Sequence, residues 1–242
     1  MKRGLYYGIL IVLIGIFAFS AYQVGHYMME KNKSVKVTED VMQYTTAVDE
    51  GTREKGEPER IKVDFDALRE ANSDIVAWLY GADTGLDYPI VQGSDNEYYL
   101  HRLLDGSVND NGTLFMDCEC SADFSMPNTL IYGHNMRSGN MFGRLTDYKD
   151  PAYYKAHPYL YLMTPEQTYR VDLLAGCVVN DDADIYSFDL SADTVEAYMA
   201  DSDFTAKAEY SDAYRLVTLS TCSYEYDNAR FVVLGQLIPI DD

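Results

Sequence analysis

The chain has 242 residues, enough for one sizeable domain with an appendage. Apolar residues make up 47%, so a packed core can form and wholesale disorder is excluded. Nineteen Lys and Arg face 39 Asp and Glu, a net charge of −20 that repels phosphate backbones and excludes nucleic acid as a partner. The imbalance is not uniform. Residues 1–60 hold eight acids and eight bases, so the whole excess lies in 61–242. Four cysteines are too few for a disulfide scaffold in a chain of this length.

Residues 5–24 form an almost unbroken apolar run without a charge. Twenty helical residues span roughly 30 Å, the hydrocarbon thickness of a bilayer. A cleaved signal peptide is the alternative, with Ala18-Phe19-Ser20 as a candidate cleavage site. The run is long for a signal segment, so an uncleaved anchor over residues 1–27 is expected. Lys2 and Arg3 point to a cytoplasmic N-terminus and an extracytoplasmic domain. Lys31, Lys33 and Lys36, at the other end, argue the opposite way. Residues 28–60 read as a polar spacer. A weak helical stripe at Val41, Met42, Tyr44, Thr45 and Val48 is broken by Gly51, Gly56 and Pro58.

Residues 61–242 read as the functional domain. Asp64 is a candidate N-cap for a helix carrying Phe65 and Leu68. Strand-like runs cover 75–80, 88–92, 113–117, 128–132, 159–163, 169–179, 214–221 and 230–238. Asp150-Pro151 is an N-cap and N1 pair, and Ser191 caps another helix with Val195, Tyr198 and Met199 on one face. Helices do not alternate with the strands, so a doubly wound parallel sheet is disfavoured. A mainly β fold is expected, a mostly antiparallel barrel or sandwich.

No metal-ligand spacing, phosphate-cradling loop or G-x-S-x-G elbow is present. Cysteine nucleophile chemistry is left. Cys222 ends the apolar run Leu216-Val-Thr-Leu-Ser-Thr-Cys222, and Arg230 opens the next. A turn at Asp227-Asn228 would make the two runs a hairpin with Cys222 and Arg230 at its mouth. A guanidinium there stabilises a thiolate or an oxyanion. His134 ends a third run just after a glycine. Cys177 reads as a buried core residue, and Cys118 and Cys120 as packing residues sharing one strand face. A non-catalytic surface module whose Cys222 is merely buried is the reading to be displaced.

These same residues carry a resemblance. Thr218-Leu-Ser-Thr-Cys222 followed by Arg230 resembles the T-L-x-T-C…R signature of the sortases, membrane-anchored cysteine transpeptidases of Gram-positive surfaces. Asn128-Thr-Leu-Ile-Tyr-Gly-His-Asn-Met136 resembles the histidine segment of class B, as does the stretch 78–100 with Tyr88-Pro-Ile-Val-Gln92 and Asp95-Asn-Glu-Tyr-Tyr-Leu100. The resemblance covers about residues 60–240. It implies an eight-stranded β-barrel with N-terminal helices and a helix in the long connection before the Cys strand, residues 180–210. It implies that Cys222 attacks the Thr–Gly-like carbonyl of a sorting pentapeptide. His134 acts as general acid and base, and Arg230 holds substrate carbonyls and the oxyanion. Asn96, Leu100, Thr221, Ser220 and Tyr186 would line the groove. A peptidoglycan amine would resolve the acyl-enzyme at the outer face of the cell membrane, without a cofactor or metal. A secreted peptidase or amidase resolved by water, and a pilin-polymerising sortase, are the rival activities. The acidic stretch 181–212 holds ten acids and one base, Lys207. It reads as a solvated face, as a rim that attracts a cationic amine, or, at Asp181, Asp182 and Asp184, as a calcium site.

Overall fold

A single helix, α1 (Lys2–Met42), opens the chain in the computed structural model, which describes residues 2–48 and 60–240. Its apolar portion is unburied and is long and apolar enough to cross a membrane. The helix does not stop where that run ends. It continues over the polar residues that follow, and its second half lies on the domain, with Val41 buried in a cluster that includes Phe65, Ile75 and Trp78. Asn109 Nδ2 donates to the Glu30 carbonyl at 3.0 Å, and Lys33 Nζ lies 3.9 Å from Asp105 Oδ2.

The expected helical stripe at 41–48 is corrected. The helix ends at Met42, and β1 (Thr45–Ala47) pairs antiparallel with β2 (Ile61–Val63). β-branched Thr45 and Thr46 suit an extended chain, and the second strand supplies the backbone partners. The breakers Gly51, Gly56 and Pro58 lie outside the described residues. Helix α2 (Phe65–Ala71) starts where its cap predicts, with Asp64 Oδ1 accepting from Ala67 N at 3.0 Å.

Eight strands then close a barrel: β3 (Ile75–Gly81), β4 (Leu86–Val91), β5 (Phe115–Met116), β6 (Asn128–Tyr132), β7 (Tyr159–Met163), β8 (Thr168–Asn180), β9 (Leu216–Cys222) and β10 (Ala229–Ile240). Their order around the barrel is β10-β8-β7-β3-β4-β5-β6-β9. Six neighbour pairs are antiparallel, whereas β4–β5 and β6–β9 are parallel. Closure leaves the sheet no free edge. The interior is filled by residues such as Leu79, Ile90, Leu130, Leu162, Leu173, Leu219 and Phe231.

Helix α3 (Pro151–Ala156) follows the Asp150 cap, and α4 (Ala192–Ala200) follows Ser191, whose Oγ accepts from Thr194 N at 3.1 Å. α4 lies in the long connection between β8 and β9, as expected, with Val195 buried against β8 and β10. A 3-10 helix, Phe142–Lys149, buries Phe142, Leu145 and Tyr148. The strand face expected for Cys118 and Cys120 is corrected. β5 ends at Met116, and the two cysteines lie in a turn closed by Cys120 N donating to Asp117 O at 3.0 Å.

Candidate active site

Strand register brings the chemistry together. Cys222 is the last residue of β9, and β10 sets Arg230 directly opposite it. On the other flank β6 runs parallel to β9, with Tyr132 opposite Ser220. His134 lies two residues past the end of β6, and the Asn135 that follows it bonds the Cys222 carbonyl. Gly133 N donates to Ser220 O at 3.1 Å, and Thr221 Oγ1 donates to Gly133 O at 2.7 Å, so the pairing continues past the strand end. Cys222, His134 and Arg230 therefore stand on three adjacent chains at one end of the barrel.

The residue before His134 is a glycine in a tightly packed place. A Cβ at Gly133 would sit 2.2 Å from Leu114 Cδ2 and 2.8 Å from Phe142 Cδ2. The imidazole is oriented by backbone: His134 Nε2 lies 2.8 Å from Leu100 O. A carbonyl only accepts, so Nε2 carries the proton and, in the neutral ring, Nδ1 is the free base. Asn135 Nδ2 donates to Cys222 O at 2.8 Å and ties the histidine loop to the cysteine strand.

Arg230 is held at the mouth of the site. Its Nη1 donates to Ala229 O at 3.1 Å and its Nη2 to Asp181 Oδ2 at 3.5 Å. Asp182 accepts from Asn180 Nδ2 at 2.7 Å, and Asp184 from the Tyr198 hydroxyl at 2.5 Å. The three acids considered for calcium thus turn to three separate donors.

The wall is a polar network. Asp117 Oδ2 accepts from Asn96 Nδ2 and from the Tyr132 hydroxyl, both at 3.0 Å, while Asn96 Oδ1 accepts from Cys118 N at 2.8 Å. One amide hydrogen of Asn96 is left over for a ligand. Tyr186 Oη and Ser220 Oγ are 2.8 Å apart, and burial raises the Tyr186 phenol while the Ser220 bond and Arg230 oppose that rise.

A cleft of about 640 Å³ joins these groups. That volume suits an extended peptide segment or a drug-sized ligand. All eight residues expected at the site line it: Cys222, His134, Arg230, Asn96, Leu100, Thr221, Ser220 and Tyr186. Asp181, expected in the acidic rim, lines it too, and so do Glu97, Phe115, Tyr132 and Gly133, which were not anticipated as site residues. Asn135 was also missed. It is legible only as the neighbour of His134, because its partner is a backbone carbonyl 87 residues away.

The other three cysteines are free thiols in different surroundings. Burial pushes Cys177 up to about 12 and Cys120 up to about 11. Desolvation and the neighbouring Asp117 and Glu119 raise Cys118. Thiolate chemistry at neutral pH is suppressed at all three. His157 Nδ1 lies 3.1 Å from Tyr153 O, a local structural contact.

Comparison with known proteins adds an independent line. The family model described as the sortase domain matches residues 82–238. Sortase B of Listeria monocytogenes is 31% identical over 237 residues, covering 94% of this chain and 94% of that protein. The crystal structure of sortase B from Bacillus anthracis superposes with a TM-score of 0.73 at 28% identity, covering 88% of this chain and all of the other. A Staphylococcus aureus sortase B–substrate complex superposes with a TM-score of 0.68 at 25% identity, covering 73% of this chain and 85% of the other.

Proposed function

Because the chain belongs to the sortase family, as a class B cysteine transpeptidase that anchors surface proteins, we propose that Cys222 is its nucleophile, His134 its general acid and base, and Arg230 its oxyanion ligand. The observation that supports this assignment is that Cys222 on β9, Arg230 opposite it on β10 and His134, two residues past the end of β6, line one cleft.

A sorting-signal peptide lies in the cleft, with its scissile carbonyl at the Cys222 thiolate. Sγ attacks the carbonyl carbon, and the oxygen takes the negative charge. Arg230 donates to that oxygen, and its planar fork can also hold a neighbouring substrate carbonyl. The tetrahedral intermediate collapses with C–N cleavage. Protonated His134 delivers its proton to the leaving amine, and a thioester remains on Cys222. A peptidoglycan amine then loses its proton to neutral His134 and attacks the thioester carbonyl. The new amide leaves, and Cys222 is free again. Leu100 and Phe115 supply apolar wall, and Asn96, Ser220, Thr221 and Tyr186 supply polar contacts for the peptide.

The same reading divides the chain into an anchor over residues 1–27, a linking segment over 28–60 and a catalytic domain over 61–242. The anchor is a single uncleaved pass. Tyr6 and Tyr7 near one end and Tyr22 and Tyr27 near the other are exposed, as membrane-interface aromatics are. Lys2 and Arg3 lie inside and the domain outside. Lys33 is engaged with Asp105, which reduces the free positive charge on the outer flank.

Quenched sorting peptides test the assignment. Cys222→Ala is expected to abolish cleavage while leaving thermal unfolding unchanged. Retained turnover in that variant would remove the mechanism.

A further inference from the structure

Helix α1 makes an ordered series of contacts along the domain. Tyr27 shares a groove of about 440 Å³ with Asn135, Met136 and Arg137, the residues that follow His134. Glu30 and Lys33 meet Asn109 and Asp105. Val37 and Thr38 face Leu103 and Leu104. Val48, which follows β1, lies with Tyr161, Met163 and Thr168. Thr168 pairs with Ile240, at the end of β10 opposite Arg230. The chain from Tyr27 to Val48 therefore runs along the barrel from its catalytic end to its far end, with the helix covering the stretch to Met42.

Distances along the helix fix the height of each end. Tyr27 lies three residues beyond Val24, where the apolar run stops, or about 4.5 Å along the axis. The polar layer of a bilayer is roughly 5–7 Å deep on each side. A tilt of about 20° changes that height little. The far end lies the length of β10 away, twelve residues, or roughly 30 Å after allowance for strand tilt.

We infer that the barrel stands with its catalytic end against the membrane, with residues 135–137 in the headgroup layer and Arg137 against phospholipid phosphate. The inference rests on the reading of α1 as an uncleaved anchor. The side chains suit that place. Arg137 is exposed and has no hydrogen-bond or ion-pair partner among the described residues. Met136 is half-buried, and Tyr27 and Met28 are exposed. An apolar and aromatic surface with one unpaired cation fits the boundary between acyl chains and phosphates. The domain's negative charge opposes approach to a bilayer surface, so the helix, not long-range attraction, sets the height.

Trp78 is the one tryptophan and is fully buried, so an added tryptophan reports position against a constant background. The full chain is reconstituted in phosphatidylcholine vesicles containing phosphatidylglycerol and headgroup-spin-labelled lipid, with Met136→Trp or, at the far end, Glu166→Trp. Ser138→Trp replaces the first probe if Met136→Trp fails to cleave peptide. Flotation with the vesicles and quenching several-fold stronger at 136 than at 166, persisting at high salt, is the expected result. Flotation with equal quenching at the two positions, or with stronger quenching at 166, overturns the inference alone. Failure to float overturns the anchor reading and the inference with it.

Discussion

Arg230 makes two different demands on its side chain. It is the one Lys or Arg among the described residues that line the cleft, and its fork reaches the Ala229 carbonyl and Asp181 together. Lysine keeps the charge but not the planar geometry. Arg230→Lys is therefore expected to lose roughly 100- to 1,000-fold in kcat/KM, the range for a lost oxyanion donor. Near-wild-type kinetics would show that charge alone suffices. A second residue-scale feature holds the hairpin loop just past Cys222. Lys149 Nζ bonds Ser223 Oγ at 2.9 Å and pairs with Glu225, whose carboxylate also accepts from Ser223 Oγ at 2.5 Å. The Lys149 and Ser223 bonds hold Glu225 at about 2, down from 4.5. A depressed carboxylate stabilises the fold above its unfolded pKa, and that gain disappears as pH falls through the folded value. Glu225→Gln should thus be less stable than wild type above about pH 5, and the difference should shrink between pH 4.5 and 2 in urea titrations. The pair is partly exposed, so salt should weaken the effect.

Among the elements, the β9–β10 hairpin was legible, whereas the parallel pairs and the antiparallel β1–β2 pair were not. Alternating apolar residues and the Asp227-Asn228 turn mark β9 and β10 as a hairpin, and Asn228 does take the left-handed conformation, φ 64°. Arg230 opposite Cys222 follows from that alone. The parallel contact of β6 with β9 joins segments 88 residues apart, and periodicity carries no information about such a partner. Strand ends suggested His134 as a partner of Cys222, but only the resemblance singled the pair out. The 3-10 helix Phe142–Lys149 was invisible for a different reason: it has neither a side-chain N-cap bond nor a helical apolar stripe long enough to read. Gly133 is the element-scale hinge of the account. Gly133→Ala must displace Leu114 or Phe142 or shift the backbone. Overpacking of this kind costs about 1–3 kcal/mol. The variant should lose that stability in denaturant titrations and lose kcat more than it raises KM, because His134 moves with the strand end. An unaltered kcat would show that the histidine loop is positioned independently of β6.

At the scale of the whole molecule, composition excluded more than it identified. The net charge of −20 removed nucleic acid, and the absence of metal and nucleotide motifs left cysteine chemistry. Strand count and the Ser191 cap led to a mainly β barrel or sandwich with a helix at 191, and the resemblance narrowed this to a closed barrel with that helix in the long connection. The reach of α1 was not, because its polar half has no strong stripe of its own and becomes ordered helix by lying on the barrel. The eight lining residues were distributed over more than 130 positions of sequence and meet only through barrel closure. The most direct test of the account is intact-mass analysis of the enzyme during turnover of a sorting peptide, followed by mapping of the modified residue. The account predicts a thioester adduct on Cys222 that an added amine converts to a peptide–amine product. An adduct on Cys118 instead, or turnover without any acyl-enzyme, would contradict it.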